Sequence, residues 1–170
     1  VNSDGSGKAY GGGVSAANVR KITLAGSARI ADCIAANGSG LYITGSQVPG
    51  YGILHANSGS VDGDVVLGDT EDGPCTITGS GETVFKGKVT VTPGSIIESG
   101  TFNGEVINNG TIKGGTFTGT VINSESGTIA EGVSIPNLIF IVTFDNEGTR
   151  TTAIIDNGAK LTAPAAPTKE

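Results

Sequence analysis

The stretch "SGTFNGEVINNGTIKGGTFTGTVINSESGTI" (99–129) says nearly the same phrase twice, "GTFNGEVINNGTI" and then "GTFTGTVINSESGTI". At the heart of each phrase is a five-residue template: apolar, x, Gly, x, Val. It occurs four times, as "VDGDV" (61–65), "FKGKV" (85–89), "FNGEV" (102–106) and "FTGTV" (117–121). The starts are separated by 24, 17 and 15 residues (85−61, 102−85, 117−102). No apolar i, i+3, i+4 pattern runs through these phrases, and Gly and Thr oppose helix at almost every turn. The phrases predict short strands of about three to five residues, joined at Gly and Asn corners where positive φ costs little. A repeat of this length with single apolar residues at fixed places is one coil of a parallel β-solenoid.

In such a coil equivalent residues stack on one another, about 4.8 Å apart. Phe85, Phe102 and Phe117 then form one inward stack, Val65, Val89, Val106 and Val121 a second, and Ile96, Ile112 and Ile129 a third. The residues flanking the template glycine point outward. Read along the coils they give Asp62, Lys86, Asn103, Thr118 and Asp64, Lys88, Glu105, Thr120, which predicts a salt-bridged ladder that resists register slip. The long first interval holds "LGDTEDGP", read as a loop inserted between coils. A β-sandwich is the alternative, but it would have to produce four template copies by coincidence. The expected fold is all-β: a single-stranded, right-handed parallel β-helix with short irregular coils over 1–136, capped by a C-terminal strand segment within 137–170.

The N-terminal third alternates short apolar segments with Gly-Ser and Asn-Gly corners, as expected for longer, glycine-richer coils. Its phrases "YGGGV" (10–14), "ITLAGSARI" (22–30) and "NGSGLYI" (37–43) resemble the repetitive β-helix segments of large bacterial surface proteins of the adhesin type. The last residues, "FIVTFDNEGTRTTAIIDNGAKLTAPAAPTKE" (140–170), are similar to the opening half of the internalin-type B repeat, also called the Listeria–Bacteroides repeat. That resemblance implies a natural protein continuing past Glu170. A half-repeat cannot close its own fold, so strand Asn137–Asp145 is expected to pair onto the end of the solenoid.

Composition bounds the function. The chain has 170 residues, net charge −6, 29 glycines and no methionine or tryptophan. Absence of Met leads us to expect a processed product or an excised piece, with any signal peptide already removed. The ten basic residues are too dispersed to release counterions from a nucleic acid. No run of about 20 apolar residues exists to cross a bilayer as a helix. Cys33 and Cys75 are too few for a disulfide framework or zinc site and read as two isolated buried thiols, with a single disulfide between them the alternative. Weak charge and abundant Thr, Ser, Asn and Gly suit a secreted or surface-attached β protein.

The search for chemistry yields little. Some β-helices are polysaccharide lyases or hydrolases, and glycoside hydrolysis needs two carboxylates at a set separation. The phrasing of the polygalacturonases is absent, and the sole histidine, His55, has no partner in a nucleophile motif. No residue is assigned a catalytic role, and an enzyme is not expected. Asp62, Asp64, Asp69, Glu71 and Asp72 could gather calcium. Their spacing matches neither the EF-hand nor the nonapeptide repeat, so a solvated acidic loop is the simpler reading. With the phenylalanines assigned to the core, Tyr10, Tyr42 and Tyr51 are the aromatic candidates for stacking on a sugar. Tyr42, Tyr51 and His55 are carried as candidate ligand-binding residues. The expected function is therefore a non-catalytic, extracellular structural or adhesion module presenting a rigid β-helical rod to a host or bacterial surface glycan or protein. A carbohydrate-binding module is the alternative, and a polysaccharide-active enzyme the third possibility. No cofactor is expected beyond the possible calcium.

Overall fold

The computed structural model describes residues 2–3, 9–146 and 149–156. Among these there is no helix, and strands of mostly two to four residues form three sheets of stacked parallel strands. Each coil visits the three sheets in turn. The first sheet takes Val14–Ala16, Leu41–Ile43, Val65–Leu67, Val89–Val91, Val106–Asn108 and Val121–Asn123. The second takes Lys21–Leu24, Ile53–Ala56, Thr76–Thr78, Ile96–Ile97, Thr111–Ile112 and Thr128–Ile129. The third takes Arg29–Ile30, Ser60–Val61, Val84–Phe85, Thr101–Phe102 and Thr116–Phe117. This is a parallel β-helix. Asn2–Ser3 and Ala9–Tyr10 form a separate antiparallel pair.

The Phe and Val columns follow the expected register. Val61, Phe85, Phe102 and Phe117 are Cα partners in sequence, and the Phe rings stack with centroids 5.0 Å apart at interplanar angles of 9° and 12°. Burying each ring contributes roughly 1.5–3 kcal/mol, and offset stacking adds about 0.5–1.5 kcal/mol. The valine column runs further than its template, from Val14 and Leu41 through Val65, Val89, Val106 and Val121 to Leu138.

The isoleucine column differs by one residue. Ile97, not Ile96, pairs with Ile112 and is fully buried, whereas Ile96 faces outward beside Thr111. Side chains alternate along a strand, so only one of two adjacent isoleucines can be inside.

The expected positive φ is found at corner glycines such as Gly68, Gly94, Gly100 and Gly115, but not at the template glycines Gly63, Gly87, Gly104 and Gly119. They are glycines because successive coils touch there. A Cβ on Gly87, Gly104 or Gly119 would run into the backbone carbonyl of the template glycine one coil earlier. Of the asparagines of "INNGT" and "INSESGT", Asn109 stands at a bend between strands as expected, but Asn108 and Asn123 are strand residues. Asn108 and Asn123 point inward and are buried, replacing the apolar residue found at Val91. Asn108 Nδ2 donates to Asn123 Oδ1 at 2.7 Å and to the Thr128 carbonyl at 3.2 Å, while its Oδ1 accepts from Gly110 N at 3.1 Å. Asn123 Nδ2 donates to the Gly127 carbonyl at 2.9 Å. A buried amide costs little when its groups are satisfied in this way.

At the C-terminal end, Leu138–Asn146 pairs parallel with Val121–Asn123 and antiparallel with Thr149–Asp156. The strand expected to cap the solenoid is there, as the first arm of a hairpin. The third sheet ends one coil early. Ile112 pairs with Ile129 and Val121 with Leu138, an offset of 17 in both cases (129−112, 138−121), but the segment between leaves the register: Ser134, 17 residues after Phe117, is exposed, and Ile135 is the residue buried there. No strand forms there. Pro136 has no N–H to donate to the coil beneath, and the one buried side chain of the segment is the aliphatic Ile135 in place of a phenylalanine. The internalin-like "GAKLTAPAAPTKE" lies outside the described residues.

Candidate functional site

The acidic residues are held by donors. Asp62 Oδ2 accepts from Arg29 Nη2 at 2.7 Å and Nε at 3.0 Å, and Lys86 Nζ lies 2.8 Å from Oδ1. Hydrogen bonds from Lys86 and Arg29 outweigh desolvation and lower the Asp62 carboxyl to about 2. Asp64 Oδ1 accepts the backbone N–H of Lys88 at 2.9 Å. The salt-bridged ladder is thus formed in one column only. Asp62 and Lys86 pair, and Thr118 Oγ1 donates to Asn103 Oδ1 at 2.9 Å, but among the described residues Lys88 forms no ion pair with Asp64 or Glu105.

In the inserted loop, Asp69 Oδ2 accepts from the Tyr42 hydroxyl at 2.6 Å, and its Oδ1 caps the N–H groups of Glu71 and Asp72 at 2.9 and 2.7 Å. Burial alone would raise the Asp69 carboxyl, but these hydrogen bonds together hold it below the usual range. Asp72 accepts from Thr44 Oγ1 at 2.9 Å and Asn18 Nδ2 at 3.3 Å. The five calcium candidates therefore divide between a corner and a loop. Among the described residues no three His, Cys, Asp or Glu side chains gather as a metal would need. Both cysteines are free, and burial pushes the Cys75 thiol up to about 12.

The aromatic candidates separate. Tyr42 is buried, its hydroxyl holding the Asp69 loop, so it is structural. The side chain of Tyr10 lies outside the described residues. His55 faces outward between Thr23 and Thr78 in the second sheet, half-buried. Tyr51 is 38% exposed, beside Val48, which is 58% exposed.

These two residues belong to the loop Ser46–Tyr51, "SQVPGY", which overhangs the second sheet. A cleft of about 280 Å³ lies beneath it, lined by Gln47, Val48, Tyr51, Pro74, Thr76 and Ile96 among others. The loop is closed at its base: a Cβ on Gly45 would meet Gly52 Cα at 3.2 Å, and one on Gly52 would meet Gly45 Cα at 2.7 Å. Gly45 N donates to the Gly73 carbonyl at 3.2 Å and Gly52 N to the Val19 carbonyl at 2.6 Å, tying the two ends to different coils. Six residues leaving and returning at one point form a compact Ω-like loop. A larger cleft of about 560 Å³ borders Phe117 and runs between Lys113 and Glu131, where the third sheet ends.

The cleft under Ser46–Tyr51 draws Pro74 and Ile96 from later coils, so sequence reasoning reached Tyr51 but not its partners. The available signal was the apolar-Pro-Gly-Tyr run between Gly45 and Gly52. No protein-family model, curated protein or solved structure matches the chain.

Proposed function

We propose that the chain is a non-catalytic structural and adhesion module, secreted or held at a bacterial cell surface, whose β-helix presents its loops on a rigid support. One observation carries this reading: the inward valine column runs unbroken from Leu41 to Val121, while the Ser46–Tyr51 loop exposes Val48 and Tyr51 outside it. The likeness of 10–43 to adhesin-type repeats, and of 140–170 to the start of an internalin-type repeat, supports a place in a larger surface protein. The partner is then a surface glycan or protein, and no cofactor enters. A carbohydrate module using the whole parallel face is the weaker reading, because Tyr42 is committed to Asp69. A polysaccharide-cleaving enzyme would need two free carboxylates about 5–10 Å apart. Asp62, Asp64, Asp69 and Asp72 are instead engaged with neighbouring donors.

The test is surface labelling. Antibody raised against the chain should stain intact cells that produce it, and beads coated with the chain should adhere to host or bacterial surfaces. Staining that requires permeabilised cells would overturn the reading.

A further inference from the structure

We infer that the cleft beneath the Ser46–Tyr51 loop binds the end of a neutral oligosaccharide. This rests on the adhesion reading above and narrows its partner to one chemical class at one site.

Three features carry it. The first is charge: in a chain of net charge −6, no lining residue is charged, so an ionic ligand finds no counter-charge there. The second is the kind of surface. Tyr51, Val48 and Ile96 supply apolar area, and the Gln47 amide and Thr76 hydroxyl stand among them. Small-molecule sites combine mostly apolar walls with a few polar groups that fix orientation. A sugar ring presents both aspects, a C–H face for an aromatic ring and hydroxyls for an amide and a hydroxyl. The third is preorganisation. The loop is pinned at Gly45 and Gly52 before any ligand arrives, so little ordering entropy is lost on binding.

An extended peptide is disfavoured by the same geometry. Strand addition requires free backbone groups at a sheet edge. Here the floor strands lie inside the second sheet, with Ile53 N on the Arg20 carbonyl at 3.1 Å, Thr76 N on Gly52 at 2.7 Å and Ile96 N on Cys75 at 2.8 Å. Recognition must come from side chains. A polyproline helix, for its part, docks between several aromatic rings, and this cleft has one.

The full chain should be applied to a printed array of neutral oligosaccharides of glucose, galactose and N-acetylglucosamine. Sialylated and sulfated oligosaccharides and proline-rich peptides share the array. We expect signal on neutral glycans alone. Tyr51→Ala should lower it at least about tenfold, and Tyr51→Phe, which keeps the ring, should retain most of it. Circular dichroism of both variants should match the parent, since Tyr51 lies in a surface loop. Silence on every neutral glycan, preference for charged glycans or peptides, or binding unchanged by Tyr51→Ala would each overturn the proposal. Staining of intact cells is independent of the cleft, so array silence with staining retained removes this site and leaves the adhesion module standing.

Discussion

The long coils at the N-terminal side and the short coils after Val89 place a similar set of residues inside and very different numbers outside. Along the valine column, the first three coils take 27, 24 and 24 residues (41−14, 65−41, 89−65) and the next three 17, 15 and 17 (106−89, 121−106, 138−121). The coil from Leu41 buries Leu41, Ile43, Leu54, Ala56 and Val61, with Tyr42 and Thr44 buried besides against the Asp69 loop; the coil from Val106 buries Val106, Asn108, Ile112 and Phe117. The extra residues of the long coils form loops, among them the Tyr51 loop and the Asp69 loop. A stacked core needs a fixed inward set per coil and is indifferent to what leaves at a corner. Stability accordingly belongs to the inward columns that both kinds of coil share, and the proposed recognition surface to the loops of the long coils.

That division can be broken most directly at Phe102, in the middle of the aromatic stack. Phe102→Ala should cost about 3–5 kcal/mol by urea unfolding, since it opens a cavity between Phe85 and Phe117. A loss below about 1 kcal/mol would mean the short coils do not hold the fold. Gly104→Ala comes next. Its new methyl would meet the Gly87 carbonyl, so the coils must separate locally, at a cost of about 1–3 kcal/mol. A neutral result in thermal melts would show that the glycine column is a composition bias and not a contact.

What the sequence disclosed follows the same line. The Phe and Val columns were legible because the template repeats them beside a constant glycine. That Ile97 and not Ile96 faces inward was also legible in the spacing. Ile112 precedes Phe117 by five residues (117−112), and five before Phe102 is Ile97 (102−97). The Asp62–Lys86 pair was legible as opposite charges one coil apart, but Asp64 was not, because the N–H of Lys88 claims its carboxylate first. The role of the template glycines was hidden, since close approach and positive φ select the same residue. The cleft was least legible: Tyr51 meets Pro74 and Ile96 only once coils of unequal length are stacked.

Within the long coils, Asp69→Ala tests whether the inserted loop stabilises anything beyond itself. It removes the acceptor of the Tyr42 hydroxyl and of two backbone N–H groups. The expected loss is about 1 kcal/mol, less than for a fully buried charged bond because water competes at this site. Hydrogen exchange should quicken at 68–75 and remain unchanged in the short coils; faster exchange around Phe102 would merge the two halves into one unit.

The smallest effect concerns acid. Asp62 joins three successive long coils, taking Arg29 from the coil before and Lys86 from the coil after. Farther along, the same column holds only the neutral Thr118–Asn103 bond. The Asp62 carboxyl lies at about 2 against 3.8 for a free one. A depressed carboxyl stabilises the fold fully above its unfolded value, and that contribution disappears as pH falls through the folded one. The melting temperature of the parent should therefore fall more steeply between about pH 4 and pH 2 than that of Asp62→Asn, and the two should converge only below about pH 2. High salt should shrink the gap, because the pairs are exposed. Thr118→Val removes the neutral bond and should lower stability by the same amount at both pH values. A pH-dependent loss in that variant would show that acid sensitivity is not confined to the long coils.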